Sequence, residues 1–106
     1  MYAVIFEVEA EDGRAGRYFE LAAELRPELA KIDGFISVER FESLTNAGKY
    51  VSLSFWRDEE AIKAWRTHVG HQMAQREGKE HVFRDFRIRV AQVVRDYTMA
   101  DRVKKS

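Results

Sequence analysis

The chain has no cysteine in its 106 residues. No disulfide framework, thiolate nucleophile or thiolate metal site can therefore be built from it, and a cytoplasmic location is the expectation. Lysine plus arginine and aspartate plus glutamate stand at 18 each, so the formal net charge is zero. A general binder of phosphate backbones needs a cationic surplus, so no nucleic-acid partner is expected. No apolar run approaches the length of a membrane span. The start, Met1 to Glu7, has no basic segment and too short an apolar run for a signal peptide, so neither membrane nor export is expected. There is also no nucleophile elbow, no glycine-rich phosphate loop and no paired-carboxylate signature. Covalent and phosphoryl-transfer chemistry have nothing to stand on.

Hydrophobic residues make up 45% of the chain, enough for a core, and the length suits one domain. Residues 1–97 read as that domain and 98–106 as a polar C-terminal tail. Tyr2 to Val8 alternates as a strand, with Tyr2, Val4, Phe6 and Val8 on one face and Ala3 and Ile5 on the other. From about Ala15 to Ile32, Tyr18, Leu21, Ala22, Leu25, Leu29 and Ile32 form a helical stripe. The single proline, Pro27, falls inside it and predicts a kink or restart near Arg26. Asp33-Gly34 ends the helix, and Gly34 suits a left-handed cap.

Phe35 to Leu44 reads as a second strand, with Phe35, Ser37, Glu39 and Phe41 sharing a face. Thr45 to Gly48 supplies turn chemistry, and Gly48 suits the positive φ of a bulged hairpin. In the third strand, Val51, Leu53 and Phe55 alternate with Tyr50, Ser52 and Ser54. Asp58 caps the next helix, followed by two acidic residues at its positive end. Its apolar stripe is Ala61, Ile62, Trp65, Val69 and Met73. Gly70 interrupts the helix and Gly78 is its expected end. Arg84 to Asp96 reads as the last strand, with Arg87 and Arg89 on one face and Glu39 or Glu42 as their cross-strand partners.

The order is βαββαβ, an α+β ferredoxin-like fold with a four-stranded antiparallel sheet and two helices on one face. Large apolar residues on both strand faces leave the second face without cover inside the chain. A second copy is expected to cover it, giving a homodimer.

Chemistry concentrates on the second helix. Trp65 and His68 share a face at a spacing of three, and His71 follows at three more. His68 and His71 are the candidate general bases, because an imidazole titrates near neutrality. The pair offers two nitrogens without an evident third ligand, so no metal site is expected. Trp65, Trp56 and Tyr18 are the candidate wall of a pocket for a small aromatic molecule.

Several runs carry a resemblance. Asp33-Gly34-Phe35-Ile36-Ser37 into Glu39-Arg40-Phe41, then Ser52-Leu53-Ser54-Phe55-Trp56, Asp58-Glu59-Glu60-Ala61 and Ala64-Trp65 resemble the antibiotic biosynthesis monooxygenase family of dimeric α+β barrels. The resemblance covers about Tyr2 to Tyr97. It implies a homodimer whose sheets face each other, a pocket between sheet and helices, and cofactor-independent oxygenation of a phenol or quinol. Haem binding and degradation is the alternative. That branch uses an asparagine on the first strand and a histidine ten positions after a tryptophan. Here the one asparagine is Asn46, and Gln75 stands ten after Trp65. The non-enzymatic alternative is a dimer that binds a small hydrophobic molecule.

Overall fold

The computed structural model describes residues 1–105, apart from the side chains at positions 71, 77, 78 and 103–105. The elements are β1 (Tyr2–Ala10), α1 (Ala15–Ala30), β2 (Phe35–Glu42), β3 (Lys49–Trp56), α2 (Glu59–Glu80), β4 (Phe83–Gln92) and α3 (Met99–Lys105). The four strands form one antiparallel sheet in the order β2-β3-β1-β4. This is the expected ferredoxin-like βαββαβ arrangement.

Register fixes which side chains meet the helices. Val4 lies opposite Ser54, Phe6 opposite Ser52 and Val8 opposite Tyr50. Val4 and Val8 are buried beneath the helices, so Tyr50, Ser52, Ser54 and Trp56 share that inward side. Val51, Leu53 and Phe55, the more apolar set of β3, therefore face away from both helices. Ile5 and Phe41 are their neighbours on that side, through the pairs Ile5–Leu53 and Phe41–Val51. The sheet is thus apolar on the side that faces away from α1 and α2.

One helix end and two turns follow their local chemistry, while α1 ends earlier than Gly34, at Ala30, with Lys31 as its cap. Asp58 Oδ1 accepts from the Ala61 N–H at 2.9 Å, the expected cap of α2. Gly34 takes φ 95°, and its carbonyl accepts from the Arg57 N–H at 2.7 Å. Gly48, at φ 80°, closes the β2–β3 hairpin.

Elsewhere tertiary structure overrides the local signals. α1 continues through Pro27 without a restart, because Leu25 and Leu29 on either side are both buried in one core. A register shift between Phe35 and Ser37 breaks the simple alternation of β2, and Phe35 packs inward against Trp56 with ring centroids 5.2 Å apart. α2 runs past Gly78 to Glu80, and the break comes at His81, at φ 51°. β4 ends at Gln92 rather than Asp96. β4 borders β1, so Arg89 meets Glu7, at 3.5 Å, and not an acid of β2. The C-terminal stretch read as a frayed tail forms α3, where Thr98 Oγ1 accepts from the Asp101 N–H and Asp101 Oδ2 accepts from the Thr98 N–H.

The core divides into two clusters. One gathers Val4, Leu25, Leu29, Trp56, Ala61, Ile62 and Val69. The other gathers Val8, Tyr18, Leu21 and Val82. Met73 packs against both. α2 lies over β3 and against α1, while Phe86, Ile88 and Val90 of β4 remain exposed.

Two tests follow from these contacts. A Cβ at Gly34 would stand 2.7 Å from the Ala61 Cβ, at a backbone φ that L-residues avoid. Gly34→Ala should lower stability by about 2 kcal/mol, read as a drop in urea midpoint without a change in slope. The second concerns Glu80, near the C-terminal end of α2, which accepts from Arg17 of α1, the Nη2 bond being 2.9 Å. Hydrogen bonding to Arg17 is the main reason that its carboxyl titrates below the ordinary range. A depressed carboxylate pKa stabilises the fold above the unfolded value and loses that contribution as pH falls through the folded value. Glu80→Gln should therefore cost stability at pH 7, with the difference from the parent protein shrinking below about pH 4.

Candidate functional site

A hollow lies between the two core clusters. It has a volume of about 40 Å³ and is bounded by Val4 and Phe6 of β1, Ser52 and Ser54 of β3, Val38 and Arg40 of β2, and Tyr18, Leu25, Trp65, Val69 and Met73 of the helices. Its existence follows from the strand pattern. Where a central strand under two helices would ordinarily present large apolar side chains, β3 presents Ser52 and Ser54. They stand opposite Phe6 and Val4 and leave the space between the clusters unfilled. A second space of about 160 Å³ adjoins it toward β4, lined in part by Phe83, Phe86 and Ile88. Phe6, Trp65 and Met73 border both spaces. Met73, an unbranched side chain, and Trp65 thus form the partition between an inner hollow and an outer apolar cleft.

The aromatic residues divide. Trp65 is half-buried and lines both spaces, as the sequence pattern leads one to expect of a pocket wall. Tyr18 is 1% exposed and lines the inner hollow. Trp56 has no exposed surface. Its indole N–H donates to Ser54 Oγ at 2.8 Å, and its ring packs on Phe35 and Trp65. It borders neither space. The structure places Trp56 in the core behind Trp65, and Ser54 is what allows its polar edge to be buried.

The histidines are not at the hollow. His68 is exposed on α2 and lines neither space. The side chain of His71 lies outside the described residues. Among the described residues no three His, Asp or Glu side chains gather as metal ligands, and no helix is long and apolar enough to cross a membrane.

The polar groups of the hollow are instead the hydroxyls of Tyr18, Ser52 and Ser54 and the guanidinium of Arg40. Simple alternation sets Arg40 on one face with Ile36, Val38, Glu42 and Leu44 and gives no sign of a site there. Its face gives it away: it stands directly opposite Ser52 in the β2–β3 ladder and so looks inward. Its Nε–H is buried without an acceptor, a condition that costs about 1–3 kcal/mol for a typical donor. No ion pair reaches Arg40 among the described residues. Burial pushes the Tyr18 hydroxyl above its ordinary range, and the nearby Arg40 charge and hydrogen bond partly oppose that shift.

Comparison with known proteins shows the family and the fold. The antibiotic biosynthesis monooxygenase family model matches residues 1–77. A jasmonate monooxygenase of Pyricularia oryzae is 48% identical over 93 residues, which is 88% of this chain and 43% of that protein. The chain thus spans less than half the length of that relative. The protein YqjZ of Bacillus subtilis is 33% identical over 94 residues, covering 89% of this chain and 80% of its own. A solved structure from Deinococcus radiodurans superposes with a TM-score of 0.80 at 16% identity, covering 93% of this chain and 98% of that one. The family match spans well over half the residues, takes in the strands and helix that carry the hollow, and shows that the chain belongs to the antibiotic biosynthesis monooxygenase family.

Proposed function

We propose that this protein is a cofactor-independent monooxygenase of a small, ring-containing molecule, of the phenol or quinol type, held between α2 and the sheet. One observation carries the reading: in a chain of this family, the hollow lies between the core clusters and is walled by Trp65. A ligand of useful size needs a pocket of about 300–1,000 Å³. The inner hollow alone is too small, so a substrate enters by moving the Met73 and Trp65 side chains and joining inner and outer spaces. An anthrone-type substrate then needs no external reductant. Its activated methylene carbon is oxidised to a carbonyl, one oxygen atom of O2 enters that carbonyl, and the other leaves as water with the two methylene hydrogens. The protein's part is to exclude water and to hold the ring in register with oxygen. His68 is exposed and lines neither space, so the hydroxyls of Tyr18, Ser52 and Ser54 are the proton-relay groups at the hollow itself.

The haem reading has less support. No imidazole borders either space among the described residues, and a tetrapyrrole is far larger than the inner hollow. No step is derived through it. A pair of copies is part of the proposal, because Val51, Leu53 and Phe55 give β3 an apolar outward face.

Oxygen uptake by the metal-free, flavin-free protein, with anthrone, a hydroquinone and jasmonate as separate substrates, tests the activity. Uptake above the protein-free rate is expected with at least one ring substrate, and Trp65→Ala should lower it at least tenfold. Absence of uptake with all three, with no product by mass spectrometry, would leave a binding protein in its place. For the assembly, Leu53→Glu should convert a sedimenting dimer to a monomer at micromolar concentration while the far-ultraviolet circular dichroism is retained.

A further inference from the structure

We infer that Arg40 is a carboxylate anchor, and that the molecule this hollow accepts is a monocarboxylic acid whose apolar body lies against Trp65 and Met73. The inference rests on reading the hollow as the ligand site and adds what the ligand must carry. Four observations converge on it. Arg40 lies on the inward face of β2 and, among the described residues, is the one cationic side chain bordering the inner hollow. Its Nε–H is buried and has no acceptor. Ser52 is its direct cross-strand neighbour, and the Tyr18 hydroxyl borders the same space. Among the described residues no Asp or Glu borders that space, so no counterion for the charge is seen there.

A guanidinium fork matches a two-oxygen anion. Two parallel N–H donors meet the two oxygens, and a hydroxyl from Ser52 or Tyr18 can take a remaining lone pair. A carboxylic acid is already ionised at neutral pH, whereas a simple phenol is protonated there and needs a base to become an anion. Among the described residues no carboxylate or imidazole borders the hollow to serve as that base. The carboxylate therefore docks without a base, and a ring substrate of phenol or quinol type that also carries one satisfies both readings. One cation among otherwise apolar and hydroxyl walls further limits the ligand to a single carboxylate, because a second would be buried without a partner. Beyond the fork, Phe6, Val69, Met73 and Trp65 offer only apolar contact, which suits an aliphatic or ring body. No bond is made or broken in this proposal; it concerns recognition.

The test compares phenylacetate with its neutral isosteres phenylacetamide and methyl phenylacetate, by calorimetry and by the change in tryptophan fluorescence, on the full chain. The unmodified protein should bind phenylacetate at least tenfold more tightly than either isostere. Arg40→Gln should abolish that preference and leave the affinity for the amide within about twofold. Arg40→Lys keeps the charge without the fork and should restore part of the preference. If the unmodified protein binds the amide or ester as tightly as the acid, or if Arg40→Gln keeps the tenfold preference, the anchor is overturned while the hollow stands as an apolar site. If the acid and both neutral compounds leave the fluorescence and heat unchanged, the hollow is no ligand site and both readings fall together. The comparison of acid with amide needs only the unmodified protein, so it decides the question even if a variant does not fold.

Discussion

The structure depends on the inward face of β3 being small and polar. Ser52 and Ser54 sit where the two helices close over the middle of the sheet. Their size prevents the Val4–Trp56 cluster and the Val8–Tyr18 cluster from merging. Interiors are packed nearly as densely as organic crystals, so an unfilled space in so small a domain is a costly feature. Each serine also has a polar reason to be there. Ser54 satisfies the Trp56 indole N–H, which lets a tryptophan with no exposed surface hold the end of the sheet against α2. Ser52 lies beside Arg40, where a larger apolar side chain would crowd the guanidinium.

Apolar content displaced from the inward face of β3 reappears on its outward face. Val51, Leu53 and Phe55 contribute nothing to the core beneath the helices, yet they are the stretch a pattern search notices first. Here the sequence was legible in one respect and misleading in another. Alternation identified the strand, but alternation cannot say which face the helices cover. Only the pairing of Val4 with Ser54 and of Val8 with Tyr50 settles that. The same limit explains Arg40. In the string Val38-Glu39-Arg40-Phe41-Glu42, an arginine between two acids looks like a solvated charge. The register shift between Phe35 and Ser37 also obscures which residues share its side. By contrast, Gly34, Gly48 and Asp58 were readable one residue at a time, because a positive φ or a helix cap is a local demand. Pro27 and Gly78 carry equally local signals, but burial around the former and continued helix after the latter outweigh them.

The ends of the helices are fastened by charge rather than by core. Arg57 donates to Asp33 and to Asp58, at 3.1 and 2.8 Å, and its own N–H reaches the Gly34 carbonyl. That cluster ties the α1–β2 turn to the start of α2. Arg17 performs the matching task at the other end, joining α1 to Glu80. These groups are at the surface, and exposed pairs contribute little apiece. Their arrangement is still informative. They clamp α2 at its two ends and leave its middle, from Trp65 to Met73, held by side-chain packing beside unfilled space. Among the described residues, the stretch of α2 from Trp65 to Met73 makes no ion pair to another element.

That distribution links the site to the fold. A small domain cannot afford both a large rigid cavity and a covered sheet, since its area for burial is limited. This chain keeps the inner hollow near 40 Å³ and places a flexible methionine and a half-buried tryptophan between it and the outer cleft. Moving them would enlarge the site at the expense of their own contacts, since Trp65 packs on Trp56 and Met73 packs against both clusters. Arg40 is fixed by a strand, whereas Trp65 and Met73 ride on the less constrained middle of a helix. A ligand entering past them would thus meet its rigid polar partner last, after its apolar body had displaced the adaptable wall. On the proposed reading, recognition at the strand and accommodation at the helix fall to separate elements.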